Sequence, residues 1–488
     1  MRMLTTVVVG LALAVSIGAC AQQKTGLAAV ADAMGATNLN SIEYSGSGEL
    51  FGFGQAYIPG ERWPRFIQRS YNVAINYQTP AMRMNTVRSQ GEFPPRGGAA
   101  QPVGADQRTI AVVSGKSAWN EGGAQPVANL GAVDDRMRQL WATPHGVIKA
   151  AMANGGTLEG NTITFKAADR EYKATLNDQM LVEKVSYLGT NEVVGDFEDE
   201  ITYSDYADFG GVKFPTHIVE SQAGFPTLDI KVSDVKPNAA VSIEVPPAVA
   251  EAQPAPATPN VNVQKLADGV WYLTAAGVSS WAVEFKDYVV AVEGPFGEAR
   301  SLAVNEKIKE TIPNKPLKYV VNTHAHYDHA GGLRTYVAQG ITVVTQEMNK
   351  PFFEKVWAQP RTLAPDLLSK EPKAPVFETV GEKKVMTDGT RSLELYHIQT
   401  GGDSGHNVAN LIVYLPKEGL LYYGDGYNPP PGDTIVDPAR TPEYGIDLYR
   451  NVTMLNLNVK MIAPAHSTRA VPYDNLKKAI GVLPVSAD

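Results

Sequence analysis

The feature that most constrains this chain is a cluster of metal-binding residue types placed directly after an apolar strand. The hexapeptide at 324–329 reads His-Ala-His-Tyr-Asp-His, holds three of the eight His residues, and follows the apolar run at 319–321. Imidazole and carboxylate are ligands that zinc and similar divalent metals choose. In an extended loop His324 and His326 lie on the same side, while Asp328 and His329 turn toward a second point. The segment therefore predicts a loop that serves two neighbouring metal ions.

Three further residues of the same chemical types lie much later in the chain, each at the end of a predicted strand. His406 follows a Gly, Asp425 ends the apolar run at 420–424, and His466 comes shortly after the apolar run at 461–463. Strand ends that open into polar loops allow side chains to converge without filling a core. The candidate metal ligands are therefore His324, His326, Asp328, His329, His406, Asp425 and His466.

The part of the chain that carries these residues alternates strands and helices. Continuous apolar runs predict strands at 288–292, 319–321, 411–414 and 420–423, and helical patterns lie at about 298–311, 346–358 and 473–482. Strands with interspersed helices predict a layered α/β domain.

The order of these motifs resembles the ligand set of the metallo-β-lactamase superfamily: HxHxDH, then Gly-His, then a strand ending in Gly-Asp, then a late His. The resemblance covers residues 261–488 and implies a four-layer αββα sandwich with the metals at one edge. It implies two Zn²⁺ per chain, with iron or manganese as the other metals that suit the motif. The first metal would be held by His324, His326 and His406, the second by Asp328, His329 and His466, and Asp425 would bridge both.

Two residues, Asp425 and Glu293, differ from the pattern of the β-lactamases proper or of the family as a whole. The β-lactamases proper usually lack an Asp at the bridging position, whereas Asp425 is similar to the pattern of glyoxalase II, lactonases and processing nucleases. Glu293 stands where the family usually has Asp, and its longer side chain is expected to reorganise the hydrogen bonds behind the ligands. The subfamily is therefore left open.

The resemblance implies an exported zinc-dependent hydrolase for a small-molecule substrate. A metal-bridging hydroxide would attack an ester, thioester, lactone or amide bond, β-lactams included, and Asp328 would be the catalytic residue that orients it and passes on a proton. Iron-dependent oxidation of a persulfide at the same motif is one alternative. A lipid-binding or envelope-assembly lipoprotein with a structural metal domain is another. A net charge of −8 without a basic stripe disfavours nucleic acid as a partner.

The first twenty residues predict a targeting segment. Arg2 precedes an apolar stretch at 4–17 that is too short for a comfortable membrane span. The stretch ends in Ile-Gly-Ala-Cys20, which resembles the bacterial lipobox, and Cys20 is the only Cys in the chain. We expect a lipoprotein of the bacterial cell envelope that is anchored by lipidated Cys20, in the outer membrane facing the periplasm if the host is diderm. The alternative is an ordinary cleaved signal peptide.

A stretch rich in Ala and Pro at 246–260 predicts an extended linker that separates residues 21–245 from the metal domain. Alternating apolar residues between Gly, Asn and Asp turns predict an antiparallel, β-rich first domain with one buried face. The pattern around residues 205–206, 210–215 and 235–238 resembles the half-barrel of periplasmic lipoprotein carriers, and an unassigned β-rich accessory domain is the alternative. We further expect a helix that begins near Thr143 and an exposed loop over 91–107. If the activity is confined to residues 261–488, removal of the β-rich domain should leave turnover of small substrates intact, which distinguishes an enzyme from the lipid-binding alternative.

The remaining candidates have weaker signals. His145 and His217 have no ligand-type neighbours in sequence and are predicted to be structural. His397 lies in a predicted strand and is also expected to be structural, with a supporting role at the metal site as the alternative. Three aromatic residues either line a substrate groove or pack in or beside the core: Trp271, Tyr272 and Trp281.

Overall fold

The structure is a computed structural model, and it describes residues 25–400, 405–430 and 443–483. The predicted signal segment, with Cys20, lies outside the described residues, and its lipidation stays a prediction. Among the described residues, no helix is both long and apolar enough to cross a membrane.

The first part of the described chain folds into one antiparallel sheet of 13 strands. In chain order, β1 to β13 are Ser41–Phe51, Arg65–Asn76, Ala81–Gln90, Gln107–Ser114, Ser117–Glu121, Val127–Ala128, Thr157–Glu159, Thr162–Ala167, Arg170–Leu176, Val182–Asn191, Gly195–Phe209, Val212–Gln222 and Phe225–Pro237. In space they follow the order β6-β5-β4-β3-β2-β1-β13-β12-β11-β10-β9-β8-β7, so the first and last strands in sequence pair in the middle.

One face of this sheet packs on helices, which are α1 Leu27–Ala33, α2 Val133–Ala142 and α3 Pro144–Ala153, with a 3₁₀ turn at Leu130–Ala132. The predicted alternation is confirmed, because Ile163 and Phe165 of one strand and Ile230 of another all lie in the shared core. Helix α3 begins where expected, since Oγ1 of Thr143 accepts a hydrogen bond from the N–H of Gly146 at 3.2 Å. The half-barrel resemblance itself stays a prediction.

The predicted linker is not extended throughout. It contains a short helix, α4 Pro247–Ala250, whose Val249 is buried against Ile110, Val112 and Trp119 of the sheet. Burying an apolar side chain of this size stabilises by about 1.5–3 kcal/mol, which holds this end of the segment on the first sheet. The domain boundaries remain predictions.

The rest of the described chain forms two sheets whose strands follow chain order. The seven-stranded sheet, antiparallel up to β17 and parallel from there, contains β14 to β20: Asn262–Ala267, Val270–Ala275, Val278–Glu284, Val289–Val292, Leu317–Val321, Thr342–Gln346 and Phe377–Val380. The six-stranded sheet contains β21 to β26: Lys383–Thr387, Ser392–His397, Leu411–Leu415, Leu420–Tyr422, Met461–Ile462 and Val471–Pro472.

These sheets form the two inner layers of a sandwich. Their facing side chains, such as Trp281 of the first and Leu395 of the second, share one core. Helices cover both outer faces: α5 Glu298–Thr311, α6 Tyr327–Ala330, α7 Leu333–Ala338, α8 Asn349–Trp357, α9 Leu367–Lys370, α10 Glu443–Met454 and α11 Tyr473–Ala479. Separate cores lie beneath the two helical layers. The predicted αββα sandwich is confirmed.

The predicted and observed limits of a helix agree best where no side chain forms a local hydrogen bond with the backbone just before the helix. The helix at 298–311 has the predicted limits, whereas the one expected at 346–358 begins later, at Asn349. Gln346 instead closes a strand, and its Oε1 accepts a hydrogen bond from the N–H of Met348 at 2.6 Å. This local hydrogen bond turns the chain before the helix starts.

The two parts are joined by shared packing as well as by the linker. Val193 and Val194, at the turn between β10 and β11, are buried in the core beneath the α5 layer of the sandwich. The guanidinium of Arg361 donates from Nη1 to the carbonyl of Asn191 at 3.0 Å and from Nη2 to that of Val193 at 2.8 Å. The first part is thus docked on the sandwich through a defined turn.

Candidate metal centre

All seven predicted ligands meet at one edge of the sandwich, each in a loop that adjoins a strand or in the short helix α6. The hexapeptide follows β18, and its last residues form α6. The other three come from the segments before β23, after β24 and after β25: His406, Asp425 and His466.

The first group of ligand atoms contains His324, His326, His406 and Asp425, whose donor atoms lie within 4.8 Å of one another. The Nε2 atoms of His324 and His406 are 3.2 Å apart. His326 is buried, and its Nδ1 has no hydrogen-bond partner. A buried unpartnered nitrogen that faces two other imidazoles fits a cation at this position.

The second group contains Asp328, His329 and His466, again within 4.8 Å of one another. Nε2 of His329 lies 3.0 Å from Nε2 of His466, and Oδ2 of Asp328 lies 3.3 Å from the latter. Two imidazole nitrogens beside a carboxylate oxygen form a donor set that suits zinc and related divalent metals.

Asp425 lies between the two groups. Its Oδ2 is 2.9 Å from Nε2 of His406 in the first group and 2.9 Å from Nε2 of His329 in the second, while Oδ1 is 3.0 Å from Nε2 of His466. Oδ2 is buried and makes no hydrogen bond of acceptable geometry. One carboxylate thus reaches both ligand groups, as a bridging residue must.

Behind the ligands, buried Glu293 supports one imidazole of each group. Its Oε2 accepts a hydrogen bond from Oγ1 of Thr323 at 2.5 Å, and this Oγ1 lies 2.9 Å from Nδ1 of His324. Glu293 adopts a φ of +75°, a left-handed conformation that non-glycine residues rarely adopt. Glu293 thus lies behind the predicted ligands and is not one of them, and the expected reorganisation relative to an Asp at this position stays a prediction.

Electrostatics at the centre favour a cation. Burial lowers the pKa of His324 to about 4, and burial with neighbouring imidazoles lowers the pKa of His326 well below its usual range. Burial opposes ionisation of Asp425, yet the surrounding rings, His329 foremost, hold its pKa well below the usual range. Burial likewise opposes a charge on His329, but the carboxylates of Asp425 and Asp328 raise its pKa well above the ordinary value. Bound positive charge would compensate these ionised carboxylates.

The centre opens into a cavity of about 720 Å³. One wall comes from the sandwich and includes Tyr427, Asn428 and Tyr444, while the facing wall comes from the first part of the chain and includes Gln55 and residues 99–102. The expectation of an exposed loop over 91–107 is therefore wrong for its middle. Gly97, Gly98 and Gln101 are buried because they pack over the metal centre.

The sequence prediction missed the contributors from the first part of the chain. Gln55 donates from Nε2 to Oδ1 of Asp328 at 2.7 Å, and the carbonyl of Ala56 lies 2.9 Å from Nε2 of His326. Neither residue stands in a motif, and their separation from the hexapeptide exceeds 250 positions. The only sequence signal near them in space is the Gly- and Pro-rich composition of the loop at 91–107, which does not indicate a contact with the metal centre.

The remaining candidates are structural. His145 stacks on Phe214 at 5.8 Å between ring centroids, and the imidazole of His217 lies 2.8 Å from Oδ1 of Asp229. His397 lies with Nε2 2.8 Å from the carbonyl of Val408, outside both ligand groups. The aromatic residues pack into the domain's cores, fully for Tyr272 and Trp281 and partly for Trp271.

Comparison with known proteins agrees with this geometry. Residues 278–466 match the family described as the metallo-beta-lactamase superfamily. This part of the chain is a metallo-beta-lactamase superfamily domain. The match includes the hexapeptide, His406, Asp425 and His466. It runs from the start of β16 to just after β25, and so lies within the sandwich.

Similar curated proteins match about a third of this chain. A metallo-beta-lactamase type 2 of Elizabethkingia meningoseptica is 23% identical over 176 residues, which are 34% of this chain and 62% of that protein. The 2,4-dinitroanisole O-demethylase subunit alpha of Nocardioides sp. (strain JS1661) is 22% identical over 169 residues, which are 34% of this chain and 46% of that protein. The chain thus spans less than two thirds of the length of these relatives.

Solved structures of similar proteins include a metallo-beta-lactamase from Pontibacter korlensis, at 22% identity and a TM-score of 0.34, covering 46% of this chain and 98% of that one. Another is a metallo-beta-lactamase from Erythrobacter litoralis, at 18% identity and a TM-score of 0.32, covering 45% of this chain and 95% of that one.

Proposed function

We propose that the protein is a metal-dependent hydrolase with two divalent ions at the edge of its metallo-beta-lactamase domain. The position of Asp425 carries the proposal, because its carboxylate lies within 3.0 Å of imidazole nitrogens from both ligand groups. A structural zinc site is closed by four ligands around one ion. Seven convergent ligands that open into a cavity instead favour a dinuclear catalytic site.

Divalent metals bound here would activate water near neutral pH and polarise the bond to be cleaved. Asp328 lines the cavity, and its Oδ1 is oriented by the amide of Gln55. Its carboxylate is placed to accept a proton from the attacking water and to deliver it to the leaving group. Three buried imidazoles, those of His324, His326 and His329, are also held by hydrogen-bonding groups behind them. This arrangement would orient the reaction, and it needs no Ser or Cys nucleophile.

We assign two Zn²⁺ per chain, since imidazole and carboxylate donors in two adjoining groups suit zinc. An ester, thioester, lactone or amide bond, β-lactams included, is the proposed target, because an oxygen nucleophile attacks the carbonyl of each. The cavity of about 720 Å³ accommodates a small molecule.

The test is a metal count combined with a substrate panel on the purified protein. Two zinc ions per chain and turnover of at least one carbonyl substrate, abolished by a chelator and restored by zinc, would support the proposal. Two bound metals without turnover across the panel would count against hydrolysis. Iron as the bound metal, with oxygen consumption on a persulfide, would replace hydrolysis by oxidation.

We also propose export and anchoring to the cell envelope through lipidated Cys20, supported by the apolar stretch and Ile-Gly-Ala-Cys sequence at the N-terminus. A Cys20→Ser variant should appear unprocessed or in the soluble fraction. Unchanged membrane fractionation of that variant would contradict lipid anchoring.

A further inference from the structure

The β-rich part of the chain reaches into the metal centre through the segment between β1 and β2. The carbonyl of Gly54 accepts a hydrogen bond from the N–H of Tyr327, inside the hexapeptide, at 3.1 Å. The rings of Phe53 and Trp63 meet the Tyr327 ring edge-on, with centroids 5.4 and 5.7 Å away. This segment is therefore fixed against the loop that carries four of the seven ligands.

Gln55 is held at both ends of its side-chain amide. Its Nε2 donates to Oδ1 of Asp328 at 2.7 Å, and its Oε1 accepts from the N–H of Ala99 at 2.9 Å. The amide thus has one orientation, and it engages Oδ1 of Asp328. The other oxygen, Oδ2, is left to face the second ligand group.

The next residue fixes a ligand of the first group. The carbonyl of Ala56 lies 2.9 Å from Nε2 of His326 and also accepts from Nδ2 of Asn407 at 3.0 Å. A carbonyl accepts only from a protonated nitrogen, so Nε2 of His326 carries the hydrogen and Nδ1 presents its lone pair to the centre. The β-rich part therefore determines which nitrogen of His326 is free to bind.

Close packing leaves little freedom for this arrangement. A Cβ at Gly98 would lie 1.9 Å from Oε1 of Gln55 and 2.9 Å from Cε1 of His326. On the opposite side of the loop, Oη of Tyr444 donates to the carbonyl of Gly97 at 2.7 Å. The loop at 97–99 is thus clamped between the two parts of the protein.

We propose that the β-rich domain is an integral part of the metal centre, with Gln55 as the positioning residue for Asp328. This inference rests on the proposed two-metal function. It replaces the expectation that residues 261–488 retain turnover alone, because that fragment lacks the groups that orient Asp328 and His326.

The test measures metal affinity in the full chain. A Gln55→Met variant keeps the length of the side chain and removes the amide, so zinc at the second group should bind about 10- to 100-fold more weakly while zinc at the first group is retained. Gln55→Asn keeps the amide but shortens its reach, and it should show a smaller loss. The matched control is Gln125→Met, since Gln125 is exposed in the turn between β5 and β6.

Competition with a chromophoric chelator gives the affinity of each zinc ion, and the visible spectrum of the cobalt-substituted protein reports the coordination of the second ion without turnover. An altered cobalt spectrum with an unchanged thermal melting profile would support the proposal. Equal affinities and spectra in Gln55→Met, Gln125→Met and wild type would overturn it. Failure of the wild type to bind two ions would instead refute the proposed function, so the two failures are distinguishable.

Discussion

Oε2 of Glu293 lies 3.3 Å from Nδ1 of His329, and both side chains are fully buried. The same oxygen also accepts the hydroxyl of Thr323, which contacts His324. A single carboxylate therefore orients one imidazole of each ligand group. Groups that orient ligands in this way tune metal affinity even though they do not touch the metal.

Glu293→Gln should weaken metal binding about 10- to 100-fold, because a neutral amide accepts hydrogen bonds from Thr323 and His329 less strongly. Chelator competition measures the change. Glu306→Gln, on the exposed face of α5, is the matched control and should bind metal like the wild type. An unchanged affinity in Glu293→Gln would show that the carboxylate has no orienting role.

Asp425→Asn removes the charge of the bridging carboxylate while it keeps the shape of the side chain. We expect one ion to bind more weakly and kcat to fall at least about 100-fold, since the bridging carboxylate would hold the cations that stabilise transition-state charge and losing such stabilisation costs this much or more. Steady-state kinetics and metal titration test this. The exposed Asp474→Asn variant should behave as wild type, and wild-type kcat in Asp425→Asn would contradict the bridging assignment.

His145 predicts a pH dependence of stability within the β-rich domain. Burial lowers its pKa from 6.5 to about 4, and its Nε2 lies 3.1 Å from the carbonyl of Met34. Because the folded-state pKa is depressed, the stabilisation is complete above pH 6.5 and is lost as the pH falls through 4. The loss is on the order of 3 kcal/mol at most.

Urea unfolding at a series of pH values measures this effect against His145→Gln, which retains a donor for the Met34 carbonyl but does not titrate. The stability difference between wild type and variant should change between pH 6.5 and pH 4 and stay constant above that window. A pH-independent difference would rule out the role of the imidazole.

Arg361→Met should destabilise the docking of the two domains. The guanidinium is buried, and its loss leaves the carbonyls of Asn191 and Val193 without their donors. Burying such unpaired groups costs about 1–3 kcal/mol each. Thermal unfolding measures the change, and Arg450→Met, at a guanidinium with 62% of its side chain exposed, serves as the control. Equal stability of both variants would contradict a structural role for this contact.

Local sequence pattern predicts the sandwich well because its central strands, such as β16, β17 and β23, are buried on both faces. The run Val289–Val292 is wholly buried and reads as continuous apolar sequence, and the helix at Glu298–Thr311 is bounded by Gly297 and a change in composition. Side chains that make local hydrogen bonds, such as Gln346, shift boundaries without a clear sequence signal. Likewise, the helix at Pro247–Ala250 depends on a distant apolar surface that receives Val249.

The convergence of the seven candidate ligands was predictable, because five of them are His, a rare residue in this chain, and all seven lie in loops or turns beside strands. The supporting contacts were not, since Gln55 and Ala56 act through a common amide and a backbone carbonyl. Their role depends on how the two domains pack together. Such packing produces no hydrophobic periodicity and no sequence motif from which it could be predicted. A Gly-rich loop such as 91–107 indicates close packing only once its partner is known.

The most direct test of the two-metal account is to titrate zinc into metal-free, full-length protein while ion content and hydrolysis are followed together. Two ions should bind per chain, and turnover of a carbonyl substrate should depend on that bound metal and be lost in Asp425→Asn. A folded protein that binds one ion or none, or that hydrolyses the substrate equally well after chelation, would contradict it.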